Sequence, residues 1–213
     1  MNPLDVPTTI AQRRAHKQFK SDEIPADLLH RLVELTVSAP SSWNLQDWRI
    51  VVVQDETQRQ ALSEAAWGQQ QIVQAPVTFV FAAHPYAWKT DLDDIFAIAN
   101  QSGAWDKSRI DYLKNAIPQF QEKLGDKNRE YAIKDATIAA THLMLAAESL
   151  GLATCPMNGW LEEKVKEVIG AEDSELAIAV LIPVGYPADS PQNPGRLPLS
   201  HNVFRDRVNN PYE

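Results

Sequence analysis

Residues 126–151 constrain the fold of this chain more than any other stretch. They carry Ala132, Ala136, Ala139, Ala140, Leu143, Leu145, Ala146 and Ala147, and the second half of the stretch is close to apolar all round. A helix without a polar face has to be covered on every side, so the pattern predicts one long central helix, ended by Gly151. Candidates for the covering layer lie in three short apolar runs. Residues 48–54 contain Ile50-Val51-Val52-Val53, residues 77–82 follow Pro76, and residues 176–184 form the third run. Their lack of polar alternation predicts strands buried on both faces.

Helical segments separate these runs. Thr8 or Thr9 can cap a first helix running to about Ala15. Pro25 sits near the start of a second, whose apolar face is Leu28, Leu29, Leu32, Val33 and Leu35, and Pro40 ends it. Residues 56–67, 91–124 and 161–169 also read as helical, the last closed by Gly170, and residues 152–156 as a short strand or extended loop. Beyond Gly185 the chain is rich in Pro, Asn, Asp and Ser. Its last 15 residues hold Val203 and Phe204 as their strong apolar anchors, so this tail is either frayed or packed on another subunit. The class is mixed α and β in one domain, with a sheet order that the alternation does not specify.

Composition removes several functions. A chain of 213 residues with 44% hydrophobic content can bury a core. A net charge of −8 argues against nucleic acid or an anionic membrane as partner. One cysteine, Cys155, allows neither an internal disulfide nor a Cys-based zinc site, which fits a reducing cytoplasm. The N-terminus does not read as a signal peptide, and no apolar run approaches the roughly 18 residues of a membrane span. The five histidines have no metal-ligand spacing, so no metal is expected. P-loop, HExxH, GxSxG and a strand-linked GxGxxG are absent.

Against this acidic background, Arg13, Arg14 and Lys17 stand out. If the first helix continues, Arg13 and Lys17 share a face suited to a phosphate, although a solvated basic helix end has the same sequence. Pro40-Ser41-Ser42-Trp43-Asn44 offers two hydroxyls and an amide, as would an ordinary capping turn. Gln71, in a run of three glutamines, is either a ring-edge ligand or part of a polar helix end. Cys155-Pro156-Met157-Asn158-Gly159 lies at a strand-to-helix turn, where Gly159 permits close approach of backbone to a flat ring. Cys155 reads as a small buried thiol rather than a nucleophile. Arg196, between turn residues, either closes over a phosphate or sits in a surface loop.

Together, Arg13-Arg14-x-x-Lys17-x-Phe19, Ala39-Pro40-Ser41-Ser42-x-Asn44-x-Gln46-x-Trp48, Gly151-Leu152-x-x-Cys155-Pro156-Met157-x-Gly159, Val184-Gly185 and Arg196-x-Pro198 resemble the FMN-dependent nitroreductase family, in its quinone- and nitro-compound-reductase branch. The resemblance spans residues 10–204. It implies an α+β fold with a central, mainly antiparallel sheet surrounded by helices. It further implies a homodimer with FMN at the interface and a domain-swapped C-terminal tail, residues 197–213, adding a strand to the partner. Arg13, Arg14, Ala15 and Lys17 match the grip on the FMN phosphate and ring edge, and Arg196 completes the phosphate site. Pro40, Ser41, Ser42 and Asn44 match a loop reaching the flavin from the partner chain. Gln71 matches a polar residue near the flavin, and Pro156, Met157, Asn158 and Gly159 match the segment lying against the isoalloxazine.

Two departures stand out. Ala15 replaces the family's usual hydroxyl, and Asp47, expected at the flavin rim, would disfavour anionic substrates. The implied activity is ping-pong transfer of hydride from NADH or NADPH, through flavin N5, to a nitroaromatic or quinone. The chemistry resides on the cofactor, so no catalytic side chain is needed. Residues 88–125 would roof the site, with Trp43, Phe96, Trp105 and Tyr112 as surfaces for flat acceptors or as simple packing. A specialised flavin reductase, a dehalogenase, or a flavin-binding sensor or storage protein remain alternatives.

Overall fold

The computed structural model describes residues 3–212; Met1, Asn2 and Glu213, the last residue of the expected tail, lie outside the described residues. Four strands, β1 (Trp48–Val53), β2 (Val77–Ala83), β3 (Ala153–Thr154) and β4 (Ala177–Gly185), form a sheet in the order β1-β2-β4-β3. Every neighbouring pair is antiparallel, so the expected α+β class holds. β2 is buried along its whole length. Val77, Phe79, Phe81 and Ala83 face one core, and Val80 and Ala82 face the other.

Helices α2 (Ala26–Val37) and α7 (Asn128–Ser149) cover the first face. Helices α3 (Glu56–Ala65), α4 (Gln70–Gln74) and α8 (Glu162–Val168) cover the second. A third cluster joins Leu45, Trp88, Ile95, Phe96, Leu113 and Ile117 and holds α5 (Leu92–Gln101) to α6 (Lys107–Leu124). The expected helix over 91–124 is therefore two helices. Gly103, at φ 75°, turns the chain, and Asp106 caps the second by accepting the Arg109 N–H.

Three other expectations change. The first helix, α1 (Val6–Gln12), stops before Ala15; its cap is Asp5, whose carboxylate accepts the Thr8 N–H, and not Thr8 or Thr9. Arg13 and Lys17 therefore do not share a helical face. The Ile50-Val51-Val52 run is only half-buried, because β1 pairs with β2 alone and forms an edge of the sheet. Helix α7 is central but not enclosed. Ala132, Ala136, Ala139, Ala140, Leu143 and Ala147 are buried against the sheet and α2, while Ile138 is 40% exposed on the other side. Gly151, at φ 80°, ends the turn after α7 as expected. The tail contains one short helix, α9 (Leu199–Asn202), and a turn that bridges Phe204 to Pro211.

Candidate functional site

After α1 the chain runs extended beside β3. Ala15 forms a parallel bridge with Thr154, and the His16 N–H donates to the Thr154 carbonyl at 3.0 Å. Two segments 139 residues apart thus lie edge to edge. Lys17 Nζ donates to Cys155 Sγ at 3.2 Å, and Cys155 is fully buried. Sulfur is a weak acceptor, so the ammonium charge keeps most of its capacity for an anion. Arg14 Nη1 donates to the carbonyls of Ala11 and Arg13 at 2.7 and 2.8 Å. Arg13 Nη1 is buried and has no hydrogen-bond partner among the described residues. Burial raises the Glu148 carboxyl from its ordinary value, against the opposing pull of His16, Arg13 and Arg14.

Asp189, which carries no local sequence signal, fixes this segment. Its Oδ1 lies 2.7 Å from His16 Nδ1, and its Oδ2 accepts the N–H groups of Lys17 and Gln18 at 2.9 and 3.3 Å. Burial pushes the Asp189 carboxyl up, but the Lys17 N–H, the His16 ring and the Gln18 N–H outweigh it and hold it below the usual range. The Lys20 N–H to Tyr186 carbonyl bond and the Ala188 N–H to Gln18 carbonyl bond extend the tie, both within 3.1 Å.

The turn after Cys155 completes the cluster. Met157 is buried and bridges Leu181, Pro156 and Gly159 are half-buried, and Asn158 is exposed. Gln69 Nε2 donates to the Gly159 carbonyl at 3.1 Å, and Gln71 Nε2 donates to Gln69 Oε1 at 3.3 Å. Trp67, at φ 59° and 67% exposed, lays its ring on Gly159, where a Cβ would stand 2.6 Å from the ring. One chain therefore gathers Ala15, Lys17, Gln71 and residues 156–159, while the Arg13 and Arg14 side chains face Glu148 and, for Arg14, the Ala11 and Arg13 carbonyls.

The loop of residues 40–46 is tied elsewhere. Ser42 donates its N–H to Asp135 Oδ2 of α7 at 2.9 Å and its hydroxyl to Asp135 Oδ1 at 3.3 Å. Pro40 and Asn44 are exposed. Asp47 is 3% exposed, so it does not line an open rim as expected. Burial, then the Asp135 charge, push its carboxyl up to about 7, against the backbone hydrogen bond and Arg49. Burial likewise raises Asp135, although both Ser42 bonds oppose it. Asp135 is a polar member of the Ala132-Ala136-Ala139 face, and that interruption is the signal from which sequence reading could have found it.

Arg196 is exposed on the tail, its Nη1 donating to the Gly195 carbonyl at 2.7 Å, and is not drawn into the cation cluster by this contact. Of the expected aromatic surfaces, Phe96 is 4% exposed and packs with Trp105 in the α5–α6 core, which corrects its reading as an acceptor surface. Trp43 stands edge-on to Phe120 at 5.9 Å, and Tyr112 is 65% exposed. Among the described residues no cluster of His, Cys, Asp and Glu could hold a metal ion.

A model described as the nitroreductase family matches residues 10–186. A relative named NADH dehydrogenase, from Thermus thermophilus, is 35% identical over 94% of this chain and 96% of its own length. An FMN reductase [NAD(P)H] from Bacillus subtilis is 28% identical over 91% of this chain and 70% of its own. A solved structure of a candidate nitroreductase in complex with FMN, from Exiguobacterium sibiricum, superposes with a TM-score of 0.88 at 22% identity, covering 94% of this chain and 97% of that one.

Proposed function

Because the chain belongs to the nitroreductase family, we propose that it binds FMN and passes a hydride from NADH or NADPH to a small oxidised acceptor, a nitroaromatic or a quinone. It is an NAD(P)H-dependent oxidoreductase. The observation that carries the reading is the buried Arg13 Nη1, which has no hydrogen-bond partner among the described residues, four positions before Lys17, whose Nζ meets Cys155. A buried charged donor without an acceptor is costly, and a phosphate would satisfy it. Arg13, Arg14 and Lys17 would hold the phosphate and ring edge, with Gln71 and residues 156–159 against the ring system. When bound, FMN supplies two-electron hydride chemistry that no side chain here provides. The protein's part is to bind and orient the flavin, and to place positive charge where the reduced ring gains negative charge.

The site is incomplete in one chain. The loop of Pro40, Ser41, Ser42 and Asn44, together with Arg196, would come from the partner of a homodimer with FMN at the interface. Three features support that assembly. The outer side of α7 carries exposed Ile138, and Leu145 and Ala146 line an apolar groove of about 360 Å³ with Leu4, Val6 and Leu35. Helix α1 adds exposed Val6 and Ile10. Among the described residues the outer edge of β1 is unpaired, and the tail exposes Leu197, Leu199 and Val203, so the tail would pack on the partner's sheet. Residues 88–125 would roof the site, with Trp43, Trp105 and exposed Tyr112 meeting flat acceptors. No helix of the described residues is long and apolar enough to cross a membrane; a cytoplasmic setting belongs to this reading.

Steady-state NAD(P)H oxidation with a quinone or a nitroaromatic acceptor tests the proposal. Parallel double-reciprocal lines are expected from a ping-pong enzyme. A protein that holds FMN and oxidises no nicotinamide would instead be a sensor or store.

A further inference from the structure

The loop of residues 41–46 has a shape that its own residues resist. Trp43, Asn44 and Gln46 have φ of 55°, 57° and 48°. Left-handed backbone is unfavourable for any residue with a Cβ, and more so for a bulky one. Such strain persists only where the surroundings over-determine it, and it concentrates where function needs a particular shape. Inside the loop, the Asn44 N–H donates to the Ser41 carbonyl at 3.1 Å, and the Gln46 N–H to Ser41 Oγ at 2.9 Å. From outside, Leu45 and Trp43 pack on the α5–α6 cluster, and the hydrogen-bonding anchor is Asp135, which takes both the N–H and the hydroxyl of Ser42.

That anchor is an expensive choice. Asp135 and Asp47 are each 3% exposed and lie at the two ends of the same loop. Asp47 Oδ1 has no hydrogen-bond partner among the described residues, and the Asp135 charge acts against Asp47. The charged groups facing Asp47 are Asp135 from α7 and Arg49 from β1. Arg49 is already committed, donating to Asp91 Oδ2 at 2.6 Å and to the Trp48 carbonyl at 3.0 Å. The His84 N–H goes to the Asp47 carbonyl at 2.6 Å rather than to its carboxyl. Two buried carboxyls at one loop, with Arg49 engaged by Asp91 and the Trp48 carbonyl, lower stability. What the Asp135 carboxylate supplies in return is a two-point clamp on Ser42.

We propose that Asp135 is a positioning residue: its clamp on Ser42 holds the strained 41–46 loop in the shape that meets FMN. This rests on the functional reading above, in which that loop contacts the cofactor.

The test is flavin release from the diluted holoenzyme, read as recovery of free-flavin fluorescence, alongside the thermal midpoint of the flavin-free chain at pH 8. Asp135→Ala removes both acceptors, so FMN affinity is expected to fall at least about tenfold. Its midpoint should change little, because relief of Asp47 offsets the lost bonds. Asp135→Asn keeps an acceptor for the Ser42 N–H and guards against a folding failure of the alanine variant. It should restore affinity to within about threefold of wild type and raise the pH 8 midpoint. Equal FMN retention by wild type and Asp135→Ala would overturn the inference alone, and so would an Asp135→Asn loss as large as that of alanine. A wild-type protein that binds no FMN would overturn the functional reading and this inference with it.

Discussion

At the scale of single residues, several buried polar groups are poorly satisfied within this chain. Arg13 Nη1 is buried without a partner among the described residues. Arg13→Met keeps the apolar stem and removes the orphaned donors. FMN affinity should drop at least about tenfold, while the flavin-free protein keeps its stability within about 1 kcal/mol; flavin titration and chemical denaturation read the two effects. Asp47 gives a pH dependence of definite sign. Its folded carboxyl, near 7, stands above its unfolded value, so the native state binds the extra proton. Stability is lost as pH rises from about 4, and the loss is complete above about 7. Asp47→Asn should therefore gain over wild type across that window and then level off, with a midpoint at pH 8 higher by roughly 4 °C or more. At this scale the sequence was partly legible. The cations, hydroxyls and amides near residues 13, 42, 71 and 157 were visible as residue types. Asp189 was not, because it reaches His16 across 173 positions. The burial of Asp47 was equally hidden, since it depends on how the loop folds onto α7.

At the scale of elements, close approach sets the tolerances. Gly185 ends β4 beneath Pro76 and Phe19; a Cβ there would stand 2.6 Å from the Pro76 ring and 3.2 Å from the Phe19 ring. Neither ring can move freely in a packed site, so Gly185→Ala should destabilise by about 1–3 kcal/mol in denaturant unfolding. Ala139 is fully buried where α7 meets the sheet, and Ala139→Leu should cost a similar amount, roughly 1–3 kcal/mol. Element types were readable because periodicity records which faces are apolar. The ends were less so. α1 stops at Gln12 because the Asp5 cap starts it early and the chain then pairs with β3, and neither event has a signature in the cation run itself. The half-exposure of β1 follows from its edge position in the sheet, and strand order is not written in a local pattern.

At the scale of the whole molecule, α7 and the tail have one explanation in common. The sequence demanded cover around α7, and a single chain covers one side of it. A second copy would supply the rest, and a tail with exposed Leu197, Leu199 and Val203 would wrap that copy. Removal of residues 197–213 should shift sedimentation toward monomer at micromolar concentration and release FMN. An intact dimer in the truncated protein would remove the tail from the assembly. The most direct measurement overall is the absorption spectrum of the purified protein before and after anaerobic addition of NADH or NADPH. Flavin bands that bleach on addition are expected from a site in which Arg13, Lys17 and residues 156–159 hold FMN open to the nicotinamide. A protein that stays colourless, and takes up no FMN when it is supplied, would contradict the account at its base.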